Sequence, residues 1–246
     1  MLLDFTDFNG AARTLARDPA WRDIEAVVRG MPLPVKASRE KGIKGTPIFD
    51  PIGCNAYLKA KLSKRRWKPN VQIASDVRVL GLGVDLLKHG IVCEAQFSNY
   101  PFLINNVVRT EILHRAGQRL GGEPIRALIV ITKAMMFPAS QSTLYYEQAT
   151  GQIDMLVRHR LINLPVRVVK LHSPIGRQVK GCSIKYKGRT SRAIVQTCKR
   201  GLRFAQAAVG SGTRGDVRPT RRQYSGGFAA TAQERARWKS SVLDAA

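Results

Sequence analysis

The pattern of apolar and polar residues predicts helices in four stretches of the chain. Each stretch has apolar residues at helical spacing, a capping residue at its start, or a Gly or Pro at its end. The predicted helices are residues 21–29, 55–67, 101–116 and 144–159. In the second of them, Leu58 and Leu62 are expected to face inward and the lysines outward.

Shorter apolar runs predict the strands of a sheet. Residues 125–132 are almost continuously apolar, which is typical of a central strand covered on both faces, and residues 166–171 form another run. Residues 82–87 and 91–97 flank a Lys-His-Gly turn and predict a hairpin. Strands that alternate with helices indicate an α/β protein with a central mixed sheet flanked by helices.

The second hairpin strand separates two kinds of side chain. Four apolar residues share one face by strand alternation: Ile91, Cys93, Ala95 and Phe97. Glu94 and Gln96 share the other face, where Asp85 of the first hairpin strand is expected to converge on them. Two carboxylates in a small site repel each other unless a divalent cation lies between them, and Mg²⁺ binds one or two carboxylates plus water and phosphate oxygens. A solvated polar face would have the same spacing, so the surrounding sequence must decide between the two interpretations.

The charge of the chain indicates a polyanionic partner. Its 246 residues include 41 Lys and Arg against 17 Asp and Glu, a formal net charge of +24, and its hydrophobic content of 44% is that of a globular protein. Such a surplus repels itself unless a polyanion is present, and nucleic acid is the simplest choice. A protein that only coats phosphate would have the same charge, so charge alone does not distinguish an enzyme from a binding protein.

Cysteine spacing and hydropathy indicate a reduced, cytoplasmic protein without a membrane partner. The four cysteines form no C-x-x-C pair and have no His at zinc-binding spacing; they are Cys54, Cys93, Cys182 and Cys198. The amino terminus is acidic where a signal peptide would be basic and then apolar. No apolar run is long enough to span a bilayer.

Several longer segments of the chain resemble the BglII type of restriction endonuclease. They are FTDFN, MPLPVKAS, IFDPIGCN, EAQFSNYPFLINN, ITKAMMFPAS and LYYEQA, in the same order and at nearly the same spacing. The resemblance covers most of residues 4–171. It implies a variant of the restriction-endonuclease-like fold, of the PD-(D/E)xK type, whose active site has Asp…Glu-x-Gln instead of the more usual final Lys.

The resemblance gives the hairpin residues catalytic roles. Asp85 and Glu94 are expected to bind Mg²⁺, for which Mn²⁺ can substitute, with the backbone carbonyl of Ala95 as a third oxygen. Gln96 cannot accept a proton as an amine would, so its amide is expected to position the attacking water. Asn70 matches a family residue that is thought to orient that glutamine. Asn is also common in turns, so the alternative is that Asn70 is only a turn residue after Pro.

Two polar segments match the family's base-reading elements. Ser98 and Asn99 follow the catalytic strand and are expected to contact base edges in the major groove. The second segment is Ser140, Gln141 and Ser142, in which Gln141 departs from the family pattern and leaves the outermost base pair open. Both segments also precede predicted helices, where Ser and Asn are common caps.

The chain beyond residue 171 is strongly basic. Between Arg158 and Arg222 the only acidic residue is Asp216, and Gly and Ser cluster near residues 210–215. We therefore expect a catalytic core over residues 1–171, a small β-rich DNA-contacting subdomain over 172–209 and a flexible basic tail over 210–246. The resemblance places Arg189 and Arg192 in a loop near DNA.

The resemblance implies a type II restriction endonuclease that acts on double-stranded DNA. A homodimer is expected, because two-fold protein symmetry matches a palindromic site. The implied site has six base pairs with a GATC core, and cleavage after its first base leaves four-base overhangs with 5′-phosphates. The outer pair stays open, and AGATCT is the favoured full sequence. Two alternatives remain open at this stage: a metal-dependent DNA nuclease without sequence preference, and a non-catalytic basic DNA-binding protein.

Overall fold

The chain folds into two compact units, each assembled from separate segments. A computed structural model describes residues 1–73, 78, 80–98, 101–140, 143–174, 178–188 and 194–203. The first unit takes its described residues from 1–31, 54–134 and 141–172, and the second from 32–53, 135–140 and 173–203. The expected division at residue 171 follows chain order, whereas the second unit also contains two earlier segments.

The helices and strands of the described residues follow one another along the chain. The helices are α1 (Ala11–Leu15), α2 (Pro19–Arg29), α3 (Pro51–Ser63), α4 (Pro101–Arg115) and α5 (Tyr146–Arg158). The first six strands are β1 (Leu2–Phe8), β2 (Leu33–Ala37), β3 (Pro47–Phe49), β4 (Lys68–Gln72), β5 (Gly83–Lys88) and β6 (Ile91–Ala95). The remaining strands are β7 (Arg119–Leu120), β8 (Glu123–Pro124), β9 (Ala127–Lys133), β10 (Val166–His172), β11 (Gln178–Tyr186) and β12 (Ile194–Arg203).

A six-stranded mixed sheet forms the centre of the first unit. Its order is β1-β10-β9-β6-β5-β4, and β9 runs parallel to both of its neighbours while the other pairs are antiparallel. Every residue of β9 is buried, as its apolar sequence predicts for a central strand. Side chains of β9 and β6 pack with α4 and α5 in one core that includes Val92, Val107, Leu128 and Ile153. The predicted α/β fold class is confirmed.

The second unit contains a four-stranded sheet of order β12-β11-β2-β3. β2 pairs in parallel with β11, while β3 and β12 run antiparallel to their neighbours. Asp50 is fully buried beside this sheet and accepts a hydrogen bond from the Tyr186 hydroxyl at 2.5 Å. Burial raises the pKa of the Asp50 carboxyl. The expected β-rich character of the basic region after residue 172 agrees with β11 and β12.

The predicted helices and the predicted hairpin are present. The second helix begins and ends four residues earlier than expected, because Asp50 directly before it accepts a hydrogen bond from the Ile52 amide and caps its first turn. β5 and β6 are joined by a two-residue turn in which His89 and Gly90 have φ of 48° and 71°. Two successive residues with positive φ form the turn type whose twist matches an antiparallel hairpin.

Candidate active site

The predicted carboxylates meet where the backbone pairing of β5 and β6 ends. The antiparallel register runs from Lys88 opposite Ile91 to Leu86 opposite Cys93, so Asp85 and Glu94 occupy the next opposing positions. The Ala95 amide donates a hydrogen bond to Asp85 Oδ2 at 3.2 Å. The Asp85 side chain thus takes the place of a backbone partner of β6. The hydrogen bond from Ala95 holds the Asp85 carboxylate beside Glu94.

Glu94 is almost completely buried and is paired with an arginine. Its residue is 4% exposed, and Arg109 of α4 donates to Glu94 Oε1 at 2.6 Å. Burial and then the nearby charge of Asp85 raise the pKa of Glu94 to about 8, against the opposing effect of Arg109. The alternative of a solvated hairpin face is wrong for this residue.

Asp85 and the predicted Asn70 share a lysine of α3. Lys59 Nζ lies 2.8 Å from Asp85 Oδ1 and donates to Asn70 Oδ1 at 2.7 Å. Asn70 adopts a φ of 51°, a left-handed conformation that Asn tolerates better than most residues. The expectation that all lysines of this helix face outward is wrong for Lys59, whose side chain is only 29% exposed.

Gln96 is positioned by its own side-chain contacts. Its Oε1 accepts from the Asn106 amide of α4 at 3.3 Å, and its Nε2 donates to the backbone carbonyl of Ser98. Its backbone amide donates to Ile131 of the neighbouring strand at 2.9 Å. The side chain is therefore fixed from both ends of the amide, close to the end of β6.

Only some of the expected base-reading residues are described. Ser98 is exposed directly after the catalytic strand, and Ser140 is half-buried at the end of a segment of the second unit. The others lie outside the described residues, so their predicted roles stay predictions; they are Asn99, Gln141, Ser142, Arg189 and Arg192.

Three residues that contact the predicted catalytic groups were not found from the sequence. They are Lys59, Asn106 and Arg109. Asn106 and Arg109 are three positions apart on α4 and therefore share a helix face, and each contacts a residue of the Glu-x-Gln motif. Two polar residues at this spacing, next to the buried apolar positions Leu103 and Val107 of the same helix, are the signal that identifies such a face.

The donor set fits a magnesium ion better than a soft metal. The part of the chain that the structure describes contains no cluster of three or more His, Cys, Asp or Glu residues able to hold a metal ion. Mg²⁺ needs only one or two carboxylates because water and substrate phosphate supply its other ligands. Asp85 and Glu94 offer that number of carboxylates.

The chain matches a family model described as restriction endonuclease BglII/BglIII over residues 3–171. It is 43% identical over 171 residues to the type II restriction enzyme BglII of Bacillus subtilis, covering 70% of this chain and 76% of that protein. Within the described residues, none of the helices has both the length and the apolar composition needed to cross a membrane.

Two solved structures have the same fold. The crystal structure of BglII complexed with a DNA 16-mer matches with a TM-score of 0.83 and 38% identity, covering 87% of this chain and 96% of that chain. The crystal structure of free BglII matches with a TM-score of 0.67 and 37% identity, covering 84% and 96%.

These likenesses and the site geometry define the class of protein as a site-specific deoxyribonuclease of the restriction-endonuclease fold. The chain belongs to the restriction endonuclease BglII/BglIII family and is a type II restriction endonuclease.

Proposed function

We propose that this enzyme cleaves both strands of a palindromic DNA site in a magnesium-dependent reaction. The observation that carries the proposal is the meeting of Asp85 and Glu94 where the β5–β6 pairing ends. Because the backbone pairing does not continue past Leu86 and Cys93, both carboxylates lie at the end of the β5–β6 ladder rather than within it.

The ligands of the ion would be the carboxylates of Asp85 and Glu94 and the carbonyl of Ala95. Because the N–H and C=O of one strand residue point to the same edge, the Ala95 carbonyl is directed to the side on which its amide meets Asp85. When bound, Mg²⁺ or Mn²⁺ would stabilise charge on the scissile phosphate and lower the pKa of the attacking water. Lys59 and Arg109, which contact these carboxylates, would have to share them with the ion.

Gln96 would orient the attacking water through its amide, which donates and accepts hydrogen bonds without changing charge. Asn106 limits its rotation from α4. Asn70 would act through Lys59. Its side-chain oxygen accepts a hydrogen bond from the Lys59 ammonium and so helps to hold that ammonium beside Asp85.

Sequence recognition would come from the residues that follow the catalytic strand and from the second polar segment. Ser98 and Asn99 would contact the GATC core, and the segment of Ser140, Gln141 and Ser142 would contact the outer pair. A glutamine amide can donate to N7 and accept from N6 of adenine, which makes AGATCT the expected site.

The partner of the enzyme would be double-stranded DNA, bound by a homodimer. A net charge of +24 supports binding to the phosphate backbone, and the relative solved with a DNA 16-mer has the same fold. Residues 172–209, including Arg189 and Arg192, would add phosphate or minor-groove contacts. We expect the enzyme to act in the cytoplasm.

Plasmid digestion with Mg²⁺ and with EDTA tests this proposal. Discrete fragments in Mg²⁺ alone, with four-base 5′ overhangs and 5′-phosphates on sequencing their ends, are the expected result. A smear would indicate a nuclease without sequence preference. A mobility shift without cutting would indicate a DNA-binding protein that is not catalytic.

A further inference from the structure

A buried lysine joins the two chain segments that flank the proposed base-reading residues. Lys133 is the last residue of β9, the strand next to the catalytic β6, and it is 0% exposed. Its ammonium donates to the carbonyl of Phe97 at 2.8 Å and to that of Leu144 at 3.0 Å. It also donates to the Thr143 hydroxyl.

The same segments are tied to each other beside the ammonium. The Phe97 carbonyl also accepts from the Thr143 hydroxyl at 3.0 Å and from the Leu144 amide at 3.1 Å. The ammonium lies 4.8 Å from the ring centre of Tyr145, a cation–π contact. The segment that ends at Phe97 and the one that starts at Thr143 therefore meet at one charged centre.

These positions bracket the proposed recognition residues. Phe97 directly precedes Ser98, and Thr143 directly follows Ser142. A displacement at either anchor would move the side chains next to it, because adjacent residues share one backbone. Misplacing a recognition group by about 1 Å is enough to cost on the order of 100-fold in rate.

We propose that Lys133 is a positioning residue for sequence recognition, which holds Phe97 and Thr143, the residues next to the two proposed base-reading segments, at a fixed separation. This inference rests on the proposed function, because it requires that these segments read bases. Lys133 itself would not contact DNA or the scissile phosphate.

A purely structural role does not account for a charge at this position. Burial lowers the pKa of the Lys133 ammonium to about 7, so the site opposes the charge that its three oxygen acceptors favour. An apolar residue of similar volume is often equally or more stabilising at such a position. What it would lack is a donor able to connect three separate oxygen atoms in one geometry.

The Lys133→Met variant is expected to fold. Without the ammonium, the Phe97 carbonyl keeps its donors from Thr143 and Leu144, and the Leu144 carbonyl keeps a hydrogen bond of 3.3 Å from the Thr132 hydroxyl. Both carbonyl acceptors of the lysine therefore keep a donor, and the Thr143 hydroxyl keeps the hydrogen bond that it donates to Phe97. Lys88→Met is the matched control, because Lys88 lies in the same sheet and pairs with Asp23, away from the recognition segments.

The test compares cleavage of an AGATCT duplex with cleavage of duplexes that carry one symmetrical pair change in the core or at the outer position. The ratio of kcat/KM values is the readout, because a reduced folded fraction affects both substrates equally and cancels. We expect Lys133→Met to lower this ratio about 10- to 100-fold, and Lys88→Met to leave it unchanged.

A ratio for Lys133→Met within twofold of the wild type would overturn the proposal. If that variant does not fold, Thr143→Val decides. It removes the hydroxyl that accepts from the ammonium and donates to Phe97, and it should lower the ratio by about tenfold; an unchanged ratio there overturns the proposal equally. Failure of the proposed function is a separate result, because the wild-type enzyme itself would then show no preference for any of these duplexes.

Discussion

Two buried glutamates on or beside helix α4 have opposite electrostatic surroundings. Glu94 and Glu111 are each 4% exposed, and each pairs with an arginine of α4, Arg109 and Arg115 respectively. For both carboxyls, burial by itself acts to raise the pKa. They differ in the number and kind of the other groups that face them.

Glu111 is surrounded by donors. Burial acts to raise its pKa, but hydrogen bonds from the Asn163 amide at 3.0 Å, from Arg115 and from the Leu164 amide at 2.8 Å together lower it. Its charge is therefore compensated within the protein. This carboxylate joins α4 to the segment before β10 and needs nothing further.

Glu94 has one arginine and a second carboxylate next to it, and its pKa rises to about 8. Burial of a charged group is therefore not by itself evidence of a catalytic role. A buried carboxylate whose donors are complete stabilises the fold, whereas one whose pKa is raised by burial and by a second carboxylate is a candidate for a functional site.

The largest effect should come from Glu94→Gln. We expect a loss of about 1000-fold or more in the rate of DNA cleavage, because the amide cannot replace an anionic metal ligand. Specific binding measured in Ca²⁺ by filter retention should remain close to that of the wild type. Near-normal turnover of the variant would remove Glu94 from the active site.

Glu111→Gln should show the reverse behaviour. Replacing the carboxylate weakens three charge-assisted hydrogen bonds and should lower the free energy of unfolding by about 2–3 kcal/mol. Cleavage per folded molecule should change by less than about threefold, which lies within the effect expected of a substitution away from the site. Urea unfolding and cleavage assays below the transition check both; a selective loss of cleavage would contradict the contrast.

The two glutamates should also give opposite dependence of stability on pH when metal is removed by EDTA. The folded-state pKa of Glu94 is raised to about 8, so its stabilising contribution is present below the unfolded value of 4.5 and is lost as pH rises toward 8. The folded-state pKa of Glu111 is lowered, so its contribution is present above 4.5 and is lost at acidic pH. For one titrating carboxyl, the free energy of unfolding changes by at most about 1.4 kcal/mol per pH unit.

Urea unfolding between pH 5 and 8 measures this effect in the wild type and in Glu94→Gln. The wild type should lose stability relative to Glu94→Gln as pH rises through this range. Equal slopes for the two proteins would mean that Glu94 is ionised in the metal-free enzyme at all of these pH values.

The smallest effect should come from Lys59→Met. Lys59 pairs with Asp85 in the metal-free protein, so it competes with a cation for that carboxylate. A partly exposed ion pair contributes up to about 1 kcal/mol, so we expect Ca²⁺ to bind up to about fivefold more tightly to the variant. Calorimetric titration without DNA is the measurement, and weaker binding would assign Lys59 a supporting role in the metal site.

Local patterns in the sequence predict the hairpin and the carboxylates well. The alternation in β6 and the turn at His89 and Gly90 involve neighbouring residues, so they are visible without knowledge of the fold. β1 could not be predicted in this way, because it pairs with β10. The paired residues Asp7 and Arg167 are far apart in sequence. The same applies to β2, because its partner β11 comes after β10, the last strand of the six-stranded sheet in chain order.

The sequence does not predict the partners of Asp85 and Glu94, for a related reason. Helical periodicity identifies the apolar face of α3 and α4, but it does not show which polar residue at the border of that face turns inward. Lys59 and Arg109 lie on helices far from Asp85 and Glu94 in sequence, and only the packing of those helices beside the sheet brings them to the carboxylates.

The length of the two-residue turn between β5 and β6 determines which side chains of β6 face Asp85. Side chains of a strand alternate strictly, so one added or deleted residue at His89–Gly90 would present Cys93 and Ala95 where Glu94 now lies. Gly90 is further restricted, because a Cβ on it would lie 2.2 Å from the Pro124 carbonyl. A change in the length of this turn would therefore displace the proposed metal ligand Glu94 as effectively as a substitution of that residue, although the turn itself takes no part in the proposed chemistry.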